Sequence, residues 1–152
     1  MTIKLKNADE MKTFGKTISE LLGGGEIIEL IGDIGSGKTT LVKGIAAGLG
    51  VNEYVQSPSF TINRVYKGRD NLTLSHYDFY RLDNAGIMAQ ELQEVIGDPN
   101  TITIIEWAGV VNNMLPSDRL SVHIVALSEN DREIVINSGG EVSQKIVDKL
   151  VV

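Results

Sequence analysis

GDIGSGKTT, residues Gly32 to Thr40, stands between a short apolar run and a stretch with helical periodicity. Gly32, Gly37, Lys38 and Thr39 satisfy the pattern G-x-x-x-x-G-K-[ST] in full. Each residue type has a physical reason. Glycines let backbone N–H groups turn inward around an anion with no Cβ in the way. A helix beginning near Lys38 would aim its unsatisfied N–H groups and partial positive charge at the same point. Lys38 can bridge phosphates, and the Thr39 hydroxyl can ligate Mg²⁺. The expected phosphate-binding set is therefore Gly32, Asp33, Ile34, Gly35, Ser36, Gly37, Lys38, Thr39 and Thr40. A glycine-rich turn without a ligand is the plainer alternative, but the flanks favour binding, with a strand before the loop and a helix after it.

The preceding strand is Glu26–Ile31, and the following helix runs over Thr39–Leu49. Upstream, a strand over Thr2–Leu5 leads into Asn7-x-x-Glu10, a capping-box-like helix start. Met11, Phe14, Ile18, Leu21 and Leu22 then recur at helical spacing, and Gly23–Gly25 is expected to stop that helix. Downstream, Thr61–Tyr66 and Asn71–Tyr77 alternate as paired strands, and Asn84–Ile96 reads as a helix. Thr101–Glu106 is apolar or β-branched up to its last residue, as a strand covered on both faces would be. Leu120–Ala126 and Arg132–Asn137 read as a hairpin, and Glu141–Leu150 as a closing helix. Residues 1–152 are thus expected to form a single α/β domain with a mixed, mostly parallel central sheet flanked by helices.

Composition narrows the function classes. A net charge of −6 argues against a protein that clamps nucleic acid with its own surface. The absence of cysteine removes disulfides, thiolate metal sites and cysteine nucleophiles, and fits a cytoplasmic address. No apolar run approaches the ~18 residues needed to cross a bilayer, and the N-terminal MTIKLKNADEMK lacks an apolar signal core.

Hydrolysis of a bound nucleotide needs carboxylates for metal and water, usually at strand ends beside the phosphate loop. Two acids occupy such places: Asp78 closes LTLSHYD, and Glu106 closes TITIIE. The bland account makes each a solvated charge where a strand enters a loop. In the functional account one helps hold Mg²⁺ and the other polarises the attacking water, and spacing does not assign which. Gln56–Thr61, around Pro58, is either a plain turn or a loop that senses the terminal phosphate. Trp107, the single tryptophan, follows Glu106 and so falls near the rim of the site. His76 and His123 show no ligand spacing and read as structural.

Taken together, GDIGSGKTTLVKGIAAGLG (Gly32–Gly50), SPSFT (Ser57–Thr61), HYDFYRLD (His76–Asp83), IIEWA (Ile104–Ala108) and LPSDRL (Leu115–Leu120) resemble the TsaE family. These are the ATPases of bacterial tRNA threonylcarbamoyladenosine biosynthesis. The segments occur in the family's order. The resemblance implies an α/β P-loop NTPase fold, ATP and Mg²⁺ as ligands, and hydrolysis that is weak until partners activate it. The implied partners are the TsaD and TsaB proteins, whose complex modifies the adenosine 3′ of the anticodon, so tRNA would be reached only through them. By position, Lys38 and Thr39 correspond to the family's phosphate and Mg²⁺ contacts and Glu106 to its metal-associated acid. Asp78 corresponds to its second acid and Ser57–Thr61 to its mobile segment. The expected catalytic set is Lys38, Asp78 and Glu106, with Thr39 and Glu106 toward the metal.

A small-molecule or nucleotide kinase could use the same loop. Such enzymes usually bring arginines from a lid, whereas Arg64, Arg69, Arg81, Arg119 and Arg132 are scattered. A GTP-dependent switch would be expected to carry Asn-Lys-x-Asp, which does not occur.

Overall fold

A computed structural model of the chain describes residues 1–84 and 86–150. Its strands are β1 (Thr2–Leu5), β2 (Ile27–Ile31), β3 (Asn63–Lys67), β4 (Thr73–Asp78), β5 (Thr101–Glu106), β6 (Leu120–Ala126) and β7 (Arg132–Ser138). The helices are α1 (Ala8–Ser19), α2 (Lys38–Gly48), α3 (Ile87–Ile96) and α4 (Glu141–Leu150). One seven-stranded sheet runs in the order β1-β7-β6-β2-β5-β4-β3. Its central strands β6, β2, β5 and β4 are parallel, while β1, β7 and β3 join antiparallel at the margins. The expected P-loop fold is present, with a mixed sheet that is parallel at its centre.

β5 is buried along its whole length, which explains why its residues do not alternate in polarity. The two sheet faces are distinct. Ile28 and Leu30 of β2, Leu74 of β4, and Ile102 and Ile104 of β5 pack with Met11, Ile18, Leu41 and Ile45 of α1 and α2. Ile27, Tyr77 and Ile105 point the other way, toward Leu92 of α3 and Val111 of the 3₁₀ segment Ala108–Met114. Side chains alternate along a strand, so His76, Asp78 and Glu106 fall on the face that α2 covers.

α1 and α2 approach closely because small residues meet at their crossing. A Cβ on Gly15 would lie 2.6 Å from the Leu41 carbonyl oxygen, and one on Gly44 would strike the Lys12 carbonyl. Among the described residues, no helix is long and apolar enough to cross a membrane.

Several boundaries differ from the sequence reading, each for a local reason. Asn7 Oδ1 accepts from the Glu10 backbone N–H (2.9 Å), as a capping box requires. The Glu10 carboxylate, however, reaches one residue past the cap, to the Lys6 N–H (2.7 Å). α1 stops at Ser19 rather than at the glycines, because Leu21 and Leu22 donate to Ile18 and Ser19 in tighter turns (3.0 and 3.2 Å). Gly24 and Gly25, at φ +110° and +86°, instead make the turn into β2. β3 starts at Asn63 rather than Thr61, since Ile62 has a left-handed φ of +69° that no strand accommodates. α3 starts at Ile87 rather than Asn84, after Gly86 at φ +50°; Ala85, within the expected helix, lies outside the described residues.

The α1–α2 crossing makes a direct prediction. Gly44→Ala is expected to destabilise the fold by about 1–3 kcal/mol, since the atoms a Cβ would meet are the backbone of Lys12, which cannot yield as a side chain would. Chemical denaturation monitored by circular dichroism measures the loss.

Candidate active site

β2 ends at Ile31 and α2 begins at Lys38, so the glycine-rich segment is the turn between them. Gly35 and Gly37 have φ of +82° and +112°, a conformation that strains any side chain. Gly32 is required by space instead, since a Cβ there would sit 2.6 Å from Ser36 Oγ and 2.8 Å from the Ile124 carbonyl. The turn therefore leaves the first N–H groups of α2 facing its concave side. Arg132 of β7 ties the loop in place: Nε donates to the Ser36 carbonyl (2.8 Å), and Nη1 donates to the Ser128 and Asp131 carbonyls (3.0 Å each).

Lys38 is buried and folds back onto its own loop. Its ammonium donates to the Gly32 carbonyl and, at 3.3 Å, to that of Asp33. It also lies 4.0 Å from Glu106 Oε1 and 4.7 Å from the centroid of the Trp107 ring. A phosphate entering the loop would offer this cation better acceptors than carbonyl dipoles.

Asp78 and Glu106 pair directly in the β4–β5 ladder, and Glu106 pairs with Leu30 of β2. They are only 4% and 3% exposed, which overturns the account of solvated strand-end charges. Buried carboxylates need donors. Asp78 Oδ1 accepts from the Tyr80 N–H and Oδ2 from Ser59 Oγ, both at 2.9 Å. Glu106 Oε2 meets His76 Nε2 at 2.5 Å, leaving Oε1 toward Lys38. His76, read from sequence as structural, is thus in direct contact with a site acid. The available signal was its place two residues before Asp78, which puts both on one strand face. Tyr77, between them, faces the opposite cluster, where burial pushes its phenol above the usual range.

The segment Ser57–Thr61 is fastened to Asp78 directly through Ser59 and, through the next residue, Ile62. Besides the Ser59 bond, the Asp78 N–H donates to the Ile62 carbonyl (2.8 Å), and Ile62 N–H closes a turn onto Pro58 (2.6 Å). Ile62 and Trp107, the latter at φ +56°, are both left-handed non-glycine residues, and each adjoins one acid. Conformations of this kind cost about 1–3 kcal/mol each and tend to cluster at functional sites. Trp107 is 37% exposed and packs against Tyr80 with the rings tilted by 49° and 4.9 Å between centroids, so it forms rim rather than core.

These parts enclose one cavity of about 460 Å³, within the ordinary range for a small-molecule site. Ile34, Gly35, Gly37, Lys38, Thr39, Thr40, Ser59, Asp78, Glu106 and Trp107 line it, while Gly32, Asp33 and Ser36 line the adjoining groove beside the end of β6. Arg81, dispersed among other arginines in the sequence, also lines the cavity, with its guanidinium 4.9 Å over the Phe60 ring. His123 does not line it. The donors offered are hard oxygens from Thr39, Asp78 and Glu106, which suit Mg²⁺. No cluster of three acidic, histidine or cysteine ligands occurs among the described residues. A divalent cation would therefore need oxygens from its ligand, as Mg²⁺ does with nucleotide phosphates.

The chain is similar to known proteins in sequence and in fold. The family described as "Threonylcarbamoyl adenosine biosynthesis protein TsaE" matches residues 5–134, further on both sides than the motifs read from sequence. The tRNA threonylcarbamoyladenosine biosynthesis protein TsaE of Treponema pallidum (strain Nichols) is 37% identical over 135 residues, covering 86% of this chain and 96% of that protein. Its counterpart of the same name in Bacillus subtilis (strain 168) is 33% identical over 144 residues, covering 95% and 89%. The crystal structure of Bacillus subtilis YdiB superposes with a TM-score of 0.82 at 30% identity, covering 99% of this chain and 93% of that one.

The contact between Lys38 and the single tryptophan provides a reporter. Adding Mg²⁺ and ATP is expected to change Trp107 emission as Lys38 turns toward phosphate, and Lys38→Met should remove most of that change in a fluorescence titration.

Proposed function

The chain belongs to the TsaE family of tRNA threonylcarbamoyladenosine biosynthesis, and from that premise we propose that it is an ATPase that binds ATP with Mg²⁺ and drives turnover of a TsaB–TsaD complex. The observation that carries this reading is the convergence of Lys38, Asp78 and Glu106 on one cavity at the N-terminus of α2.

The backbone of Gly32–Thr40 would cradle the phosphates, and Lys38 would exchange its loop carbonyls for phosphate oxygens. Thr39 Oγ and the free Oε1 of Glu106 would hold Mg²⁺, which supplies charge neutralisation at the transferring phosphoryl group. Asp78 is the better placed acid for orienting water, because its link to Ser59 joins it to a segment that lines the cavity. That segment, with Trp107 and Phe60 at the rim, is also where a partner's contact could tighten or release the site. Weak turnover alone would follow, since both oxygens of Asp78 are bonded within the chain until the rim is rearranged. With a net charge of −6, this chain would meet tRNA only through TsaD and TsaB. We place it in the cytoplasm, with residues 1–152 acting as one ATPase domain.

Reconstitution with TsaB, TsaD and tRNA tests the reading. Lys38→Ala and Glu106→Ala are each expected to lower ADP release by roughly 10²-fold, the loss typical of removing one preorganised charge-stabilising group. Full turnover by both variants would overturn the site.

A further inference from the structure

We propose that His76 is a positioning residue that anchors one oxygen of Glu106 and so keeps the other available to a divalent cation. The inference rests on the metal role given to Glu106 above and concerns how this chain secures that role.

A carboxylate accepts but cannot donate, so the 2.5 Å contact has His76 Nε2–H donating to Glu106 Oε2. Both groups sit on rigid elements, in adjacent parallel strands, with His76 opposite Ile104, two residues before Glu106. His76 is 0% exposed, so the bond is shielded from water. The imidazole's other nitrogen, Nδ1, has no hydrogen-bond partner among the described residues. A ring that served only to fill the core would gain nothing from that bare nitrogen, and an apolar side chain would fill the space without it. What the imidazole provides is a donor aimed at one carboxylate oxygen.

The need for that donor comes from Lys38. Its ammonium is 4.0 Å from Glu106 Oε1, at the limit of an ion pair, with little water around either group. Opposite charges this close in a poorly hydrated site attract strongly. Glutamate has the side-chain freedom to swing and close the gap. With Oε2 held by His76, the carboxylate stays back, Lys38 remains on its loop carbonyls, and Oε1 stays open. Without the anchor, Glu106 and Lys38 would neutralise each other, and the cation would compete with lysine for the same oxygens. Hydrogen bonds from outside the ligand shell fix carboxylate ligands in this way, and losing one typically costs 10–100-fold in metal affinity.

Mn²⁺ binding provides a test independent of turnover. The protein is saturated with a non-hydrolysable ATP analogue, and free Mn²⁺ is measured by electron paramagnetic resonance. His76→Phe, which keeps a ring of similar volume without a donor, is expected to weaken Mn²⁺ binding about 10-fold or more. Its affinity for the analogue without metal should fall by less than its affinity for Mn²⁺, since only Lys38 among the phosphate contacts is engaged by a freed Glu106. His76→Gln, which can carry an N–H to the same place, should recover most of the Mn²⁺ affinity. Where the Phe variant fails to melt cooperatively, His76→Asn, whose donor is too short to reach, takes its place. Equal Mn²⁺ affinity in the Phe and original proteins overturns the proposal. So does a loss shared equally by Mn²⁺ and metal-free analogue, or failure of Gln to exceed Phe. Glu106→Gln separates the two levels. If it too leaves Mn²⁺ binding unchanged, the metal role of Glu106 falls and this proposal with it. If it weakens Mn²⁺ while His76→Phe does not, only the role of His76 falls.

Discussion

The site depends on one register relation: Asp78 beside Glu106, and Glu106 beside Leu30, across three parallel strands. Parallel strands finish at the same sheet edge, so the loop that leaves β2 and the acids that end β4 and β5 arrive together. A slip of one residue in β4 or β5 would turn its acid to the opposite face, away from α2. The apolar residues behind the acids prevent that slip. Leu74, Ile102, Ile104, Ile28 and Leu30 are at most 1% exposed beneath α1 and α2, and a one-residue slip of a strand would turn its members of this set to the other face. Core packing and site geometry are therefore the same constraint.

That arrangement gathers groups a core would otherwise exclude. Lys38, His76, Asp78 and Glu106 are all buried, with Glu106 contacting Lys38 and His76 and pairing with Asp78 across the ladder, and left-handed non-glycine residues adjoin both acids. Breaking one partner of such a network leaves a buried charge uncompensated, so the network is sensitive to single substitutions. The rest of the fold holds it rigid. Arg132 links the phosphate loop to the β6–β7 turn, and Arg119 bonds Glu29 of β2 at 2.9 Å on the other sheet face. Two of the scattered arginines thus act as braces, while Arg81 alone among the five lines the cavity.

Some of this was legible in the chain itself because it is written in local chemistry. G-x-x-x-x-G-K-[ST] needs glycine where φ is positive or a Cβ would collide, and Gly32, Gly35 and Gly37 meet those conditions. The unbroken run of Thr101–Glu106 was readable as a covered strand because burial on both faces removes alternation. Boundaries were less legible. Hydrophobic spacing carried the first helix on to Leu22, while tighter turns end it at Ser19. The start of the strand after Thr61 depended on the conformation of Ile62, a β-branched residue that favours extended backbone by itself and is held left-handed by bonds to Pro58 and Asp78.

By itself the sequence carried the ordered motifs that resemble the family, and it determined the phosphate loop, the order of strands and helices, and two strand-end acids, since these last three follow from nearest-neighbour chemistry and periodicity. Only tertiary structure decided that those acids are buried, that Asp78 is committed to Ser59 and Tyr80, and that Glu106 keeps one oxygen free because His76 holds the other. The partner of Glu106 is 30 residues away in the chain, and its distance is set by strand pairing. No local pattern encodes that separation, because hydrogen bonds between strands depend on which strands meet and in what register.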